Sequence, residues 1–317
     1  LAGIKKTLVP GWANLATKGG KTYGLPVSAN VKSLVWYNPA NFKAAGLTVP
    51  KTDADMTKLT ETIKSKKLGY PWCIGIESGG ATGWAATDWM EEYVLRYGGE
   101  AQYTAWWKGK LAWSSPTVQK AAKKFADIAL TPGNVNGGGK AIAATGFGTT
   151  ANLFATDKNK CFMMRQGSFI TDFFPDAVKA EYKANNFSRV GVFKLPAPAG
   201  TTDAVLGGGD LAAAFDANTA TQKVLNFILS DKLGQGAMLA NYPSYLSAHK
   251  TFPSAGYKNP ITKNIAGILS TAKLFGFDGS DLAPAIVNAT EWTELTNWIA
   301  GKKTQKQAFD AIDALSN

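Results

Sequence analysis

In 317 residues the chain carries one histidine, two cysteines and three arginines, and each scarcity removes a class of chemistry. His249 lies in Leu246-Ser247-Ala248-His249-Lys250 with no nucleophile motif beside it, so no Ser-His-Asp or Cys-His signature is present and His249 reads as a surface or loop residue. Cys73 and Cys161 are too few for a metal site and too far apart for a Cys-x-x-Cys pair. In their apolar, aromatic settings they are either bridged in an oxidising compartment or two buried thiols. Gly137-Gly138-Gly139-Lys140 is followed by Ala141 and lacks both the spacing and the hydroxyl of a phosphate loop, so it reads as a turn. No apolar run reaches the roughly 18 residues of a membrane helix, no internal repeat is visible, and no basic run of five exists. The excess of 34 Lys and Arg over 23 Asp and Glu, a net +11, is spread over single lysines and pairs, which is the pattern of a solvated surface rather than a nucleic-acid face. No metal, no cofactor and no nucleic-acid partner is expected.

The length and an ordinary 45% hydrophobic content allow two domains with sizeable cores. Strand-like and helix-like segments alternate, predicting an α/β protein with mostly parallel sheets. Strands are expected at residues 23–27, 33–37, 161–164, 189–195 and 211–215. Thr52 caps a helix with Met56, Leu59 and Ile63 on one face, ending by Gly69. Ser115 and Pro116 open another, with Val118, Ala121, Ala122, Phe125 and Ala129 inward. Residues 133–139 read as a glycine-rich loop. Val224, Leu225, Phe227 and Ile228 are expected to face inward on a later helix. Thr304 and Gln307 form a capping box before Phe309, Ile312 and Leu315.

Six of the ten tryptophans fall between Trp72 and Trp113, interleaved with Glu77, Asp88, Glu91, Glu92 and Arg96. Indole faces stack on the C–H faces of a sugar ring while carboxylates and guanidinium groups take its hydroxyls, so this mixture points to carbohydrate binding. Glu91 and Glu92 are helix neighbours and point to different faces, poor geometry for a glycosidase pair. Asp88 with Asp210 or Glu291 is the pairing through which a secreted carbohydrate-active enzyme or lectin-like module would work, but no hydrolase signature surrounds them. No catalytic residue is assigned.

Residues 23–38, Tyr-Gly-Leu-Pro-Val-Ser-Ala-Asn-Val-Lys-Ser-Leu-Val-Trp-Tyr-Asn, followed by Ala45-Gly46 and Val49-Pro50-Lys51-Thr52, resemble the hinge strand and first second-lobe helix of the family 1 extracellular solute-binding proteins. These are the maltose-binding-protein-like sugar receptors of ABC importers. Residues 71–79, 83–89, 161–169 and 206–210 are closest to the alpha-glucoside-type branch. The resemblance implies a periplasmic-binding-protein type II fold, two lobes joined by hinge crossings near residues 28–32, 205–210 and 280–288. Lobe one would hold residues 1–29 and 211–283, and lobe two residues 30–210 and 284–317. It also implies that a front section of lobe one is missing, exposing sheet edges and apolar surface. A monomer would capture an oligosaccharide, an alpha-glucoside in this branch, in the interlobe cleft and pass it to ABC permease membrane subunits. It would be periplasmic or extracellular, lipoprotein-anchored in the full-length form. The same fold with a polyol, peptide or phosphorylated ligand is the alternative. The ligand contacts expected are Asn30 and Lys32 at the first crossing, Trp84 or Trp89 as a stacking platform, Asp88, Arg165 and Gln166 at a strand end, Gly209 and Asp210 at the second crossing, and Trp292 after the third. Trp298 is expected in the core.

Overall fold

Residues 34–37, Leu-Val-Trp-Tyr, carry apolar side chains on both sides of the chain, as a strand covered on both faces requires. The computed structural model describes residues 2–9, 12–154, 161–216, 218–235 and 242–315. We label seven of its strands β1 (Asn30–Val31), β2 (Leu34–Tyr37), β3 (Tyr70–Trp72), β4 (Cys161–Arg165), β5 (Gly191–Lys194), β6 (Ala204–Gly208) and β7 (Leu274–Phe277). One sheet runs β3-β4-β2-β5, with β2 antiparallel to both neighbours and β3 parallel to β4; a second runs β7-β6-β1. The sheets are therefore mixed rather than mostly parallel. Successive side chains point to opposite faces. Val35, Met163 and Phe193 accordingly enter one apolar cluster, and Leu34, Trp36 and Met164 the other. Leu206 and Val205 divide the same way in the second sheet.

Helices cover the first cluster: α1 (Asp53–Ser65), α2 (Trp84–Trp107), α3 (Pro116–Ala129), α4 (Ala285–Ile299) and α5 (Gln305–Asp313). Helix α1 has the Thr52 cap, closed reciprocally by Asp55, and buries Met56, Leu59 and Ile63 as its spacing predicts. It ends at Ser65, before Gly69, because Lys67 already turns left-handed. Helix α3 buries all five predicted residues, although the Ser115 hydroxyl makes no cap bond. The Thr304–Gln307 box opens α5. Helix α2 is the pivot of the packing, touching α3, α4, β6 and β7, and it kinks at Gly99, whose φ is 65°.

Three further expectations fail in whole or in part. The strand predicted over residues 211–215 is only Leu211–Ala212, and Phe215 is fully exposed. Helix Thr219–Ile228 forms with a clear apolar face, but of the four residues expected inward only Leu225 and Ile228 pack, half-buried, against the second cluster, while Val224 and Phe227 stand in solvent. Periodicity fixes which residues share a helix face and says nothing about what covers it. Gly138–Ala144, at the end of the glycine-rich stretch, is a short helix that starts at Gly138 directly after Gly137, both with positive φ.

Candidate ligand-binding site

Helix α2 begins with Trp84 because Gly83 turns the chain at φ +117°, and a side chain at Gly83 would sit 2.3 Å from the Trp292 carbonyl oxygen. That close approach brings the start of α2 against Trp292 on α4. Between them lies a cavity of about 290 Å³ lined by Asn30, Lys32, Trp84, Gly209, Asp210 and Trp292, all expected from the sequence. Phe169, Asp278, Ser280 and Asp281 complete its wall. The Phe169 ring lies 5.7 Å from that of Trp84. Asp210 accepts a hydrogen bond from the Ser28 hydroxyl at 2.7 Å. Aromatic faces, carboxylates, an amide and a hydroxyl thus converge from stretches more than 200 residues apart in sequence.

Four expected contacts do not reach this wall. Trp89, five residues after Trp84, is rotated away by about 140° on an α-helix, and it packs on Trp72, Tyr93 and Phe125 in the core. Asp88, Arg165 and Gln166 are also buried. Gln166 uses its backbone, its carbonyl accepting from the Trp36 indole at 2.9 Å. Arg165 lies over the Trp89 ring and donates to Glu92 at 2.7 Å, so its guanidinium is half of a structural ion pair.

Behind the cavity the charges form one buried network. The Lys32 ammonium donates to Asp88 at 2.7 Å and to Asp278, and it lies 5.5 Å from the centre of the Trp84 ring. Far from being a solvated lysine, Lys32 is 7% exposed. Asp88, Glu91 and Asp278 gather closely enough to hold a metal ion, but the Lys32 ammonium already bonds two of the three. Burial opposes the charge of each carboxylate. For Asp278 the Lys32 ammonium prevails and holds the acid below its usual range, whereas for Asp88 burial prevails and raises it. Glu91 is pushed well up by burial and by the charges of Asp278 and Asp88. Glu92 is held low against burial by Arg96 and Arg165. Lys32, Arg96 and Arg165 therefore balance Asp88, Glu92 and Asp278, with Glu91 favouring its proton.

Glu291, buried one residue before Trp292, has no partner for its Oε2, and burial together with the charge of Asp278 pushes it up to about 8. A carboxyl with a raised native pKa makes the native state hold a proton that the unfolded chain releases, so stability falls as pH rises from the ordinary 4.5 to about 8. Glu291→Gln is therefore expected to stabilise the protein by about 3 kcal/mol at pH 7 and hardly at all at pH 4. Urea denaturation at the two pH values checks this; equal shifts at both would show that the charge is not the cause.

A second cavity of about 510 Å³ is lined by Glu77, Gly146, Phe147, Thr149, Asn152 and Phe173, among others. Phe147 links it to the first, its ring 4.9 Å from Trp84 and 4.8 Å from Phe173. A larger cavity than either, about 740 Å³, lies against helix Pro260–Ser270 and β7 and includes none of the expected contacts. It is lined in part by His249, which is 5% exposed rather than on the surface; Thr7 bonds its Nδ1 at 2.7 Å, and burial lowers its pKa. Its walls are mainly apolar with lysines among them, and no residue of the three predicted crossings lines it, so it is the weaker candidate for a polyol.

Of the site residues the sequence did not single out, Phe169 closes a stretch that carried the family resemblance, and Asp278 stands two residues before the predicted third crossing. Ser280 and Asp281 open that crossing. The pairing of β6 with β7 and β1 brings the three predicted crossings together.

Residues 2–235 match the family model for bacterial extracellular solute-binding proteins. The chain is 35% identical over 313 residues to the alpha-glucosides-binding periplasmic protein AglE of Rhizobium meliloti (strain 1021), covering 95% of this chain and 67% of that protein. It is 33% identical over 292 residues to the osmoprotective compounds-binding protein GgtB of Synechocystis sp. (strain ATCC 27184 / PCC 6803 / Kazusa), covering 92% and 67%. The chain thus spans about two thirds of the length of both relatives. Among solved structures, a chitin oligosaccharide binding protein superposes with TM-score 0.76 at 21% identity, over 95% of this chain and 72% of the other. Maltose-bound MalE3 of T. maritima superposes with TM-score 0.67 at 15% identity, over 98% and 76%. At these identities the structural likeness speaks for the fold, an α/β fold of the maltose-binding type.

Proposed function

This chain belongs to the bacterial extracellular solute-binding proteins, and we propose that within that family it is the sugar-capturing component of an ABC importer. An alpha-glucoside binds between Trp84 and Trp292, hydroxyl groups bond to Asn30, Asp210 and Ser280, the lobes close, and a monomer passes the ligand uncleaved to the permease subunits. The observation that supports this most is the convergence of Trp84, Phe169 and Trp292 with those polar groups around one cavity. Lobe one takes residues 1–29 and 211–283, lobe two the remainder, with the cavity at their junctions. Its volume of about 290 Å³ suits one or two sugar rings, and the aromatic path through Phe147 leads further rings of an oligosaccharide to the second cavity. The protein acts outside the cytoplasm, lipid-anchored in its full-length form.

Asp210, Asp278 and Asp281 face the cavity against a single cation, Lys32, whose ammonium is already bonded to carboxylates. A neutral ligand fits this charge balance and an anionic one does not. Titration calorimetry against maltose, sucrose, trehalose and glucose 6-phosphate is expected to give micromolar binding for at least one neutral glucoside and none for the phosphate. Trp84→Ala or Trp292→Ala should weaken that binding on the order of tenfold, the value of one stacked aromatic contact. Silence across the neutral panel would overturn the sugar reading, and shorter products on chromatography would replace the receptor by a hydrolase.

A further inference from the structure

We propose that Ser33 and Glu91, neither of which lines the cavity, are positioning residues that lock the three strand junctions at residues 30–34, 205–210 and 278–282 to helix α2 and to one another. The proposal rests on the reading of the adjoining cavity as the sugar site. The hydrogen bonds form a closed ring. The Ser33 hydroxyl donates to the Glu92 carboxylate at 2.8 Å and accepts from the Leu206 amide at 2.8 Å, joining α2, the first junction and the second. The Asp278 amide donates to the Gly207 carbonyl at 2.8 Å, joining the second junction to the third. The amides of Gly279 and Ser280 each donate to Glu91 at 3.1 Å, returning the path to α2.

Every side chain in the ring is buried: Ser33 and Glu91 are 0% exposed and Glu92 is 1%. A buried donor or acceptor that loses its partner carries its full desolvation penalty, so the ring resists opening at one point alone. Its members alternate along the chain with cavity residues: Lys32 precedes Ser33, Gly208 follows Gly207, and Asp278 and Ser280 flank Gly279. Ser33, Glu91 and Glu92 thereby set the distances between three walls of the cavity without lining it themselves.

The test is amide hydrogen exchange, read by mass spectrometry on peptides spanning residues 203–209, 276–283 and 116–129, together with glucoside titration. Ser33→Ala is expected to speed exchange about tenfold not only at Leu206, whose amide it holds, but also at Gly279 and Ser280, with α3 unchanged. Affinity for whichever neutral glucoside binds should fall about tenfold. Glu91→Gln, which keeps the shape of the side chain, is expected to give the reciprocal pattern, faster exchange at 276–283 spreading to 203–209, and carries the test if Ser33→Ala does not fold. Acceleration confined to the peptide next to the substitution, or affinities within twofold of the parent, overturns the proposal. Should no glucoside bind, the sugar reading falls by itself and the spread of exchange still decides whether the ring is one unit.

Discussion

Lys32→Met is expected to lower stability by about 3 to 5 kcal/mol at neutral pH, because it removes the ammonium that the buried Asp88 and Asp278 share and leaves Asp88 only the Arg165 guanidinium at 3.7 Å. Methionine keeps the unbranched stem and deletes only the ammonium, so the loss reports the charge rather than packing. The sign of the pH dependence follows from the carboxylates. Asp278 is held below its ordinary value largely by Lys32, a contribution present above the ordinary carboxylate range and lost as pH falls through the lowered native value. In the variant both acids take up protons instead. The gap between variant and parent should therefore be widest near pH 7.5 and narrow towards pH 4. Urea denaturation at both values measures it, and a deficit of equal size at each would place the effect in packing. Because Lys32 also lines the cavity, sugar affinity should fall with stability.

The same residue marks where the sequence stops being legible. A lysine is by default a solvated charge, and nothing near Lys32 in the chain says otherwise; its partners are 56 and 246 residues away. Helix faces were readable because their cause is local. Met56, Leu59 and Ile63, and the five apolar residues of α3, repeat at the helical period, and Thr52, Pro116 and Thr304 mark starts by chemistry that acts within one turn. Helix Thr219–Ile228 shows the boundary of that reasoning, since its apolar face forms as expected but the inward packing expected of Val224 and Phe227 does not.

The tryptophans divide for a related reason. Indole serves a protein core as well as it serves a sugar, and sequence alone does not separate the uses. Of the six between Trp72 and Trp113, four are core residues, Trp72, Trp89, Trp106 and Trp113, while Trp84 reaches the cavity because Gly83 places it at the helix start. Asp88, Glu91, Glu92 and Arg96, interleaved with them, likewise serve the buried network rather than its wall. The junction residues Asn30, Gly209, Asp210 and Trp292 could be placed beforehand because the family resemblance supplied the topology that brings them together. Asp278 and Ser280, less than one helical turn apart beside the third junction, belong to both the wall and the network, which is why the charge balance and the cavity shape are one problem.

Replacing Cys73 and Cys161 by serine is expected to cost about 4 to 5 kcal/mol, the loop-closure entropy of an 88-residue ring in the chain-entropy description. The sequence left the two thiols either bridged or free, and the structure joins them at a Cα separation of 5.5 Å. The bond ties the end of β3 to the start of β4, two parallel strands already paired from Tyr70↔Cys161 to Trp72↔Met163. The loop it closes contains α2 and α3, so the unfolded chain gains most of its freedom in the helical layer that carries Trp84 and the buried network. Neither cysteine lines the cavity beside Trp84 and Trp292, and the ring of hydrogen bonds around it does not pass through them. Stability and binding should therefore separate: the serine variant is expected to unfold at a clearly lower urea midpoint while its glucoside affinity, measured where it is still folded, stays within about twofold of the parent. A midpoint change worth less than about 1 kcal/mol would mean that the reduced chain keeps strands β3 and β4 together when unfolded. A large loss of affinity in the folded variant would mean that the bridge shapes the cavity as well as restraining the chain.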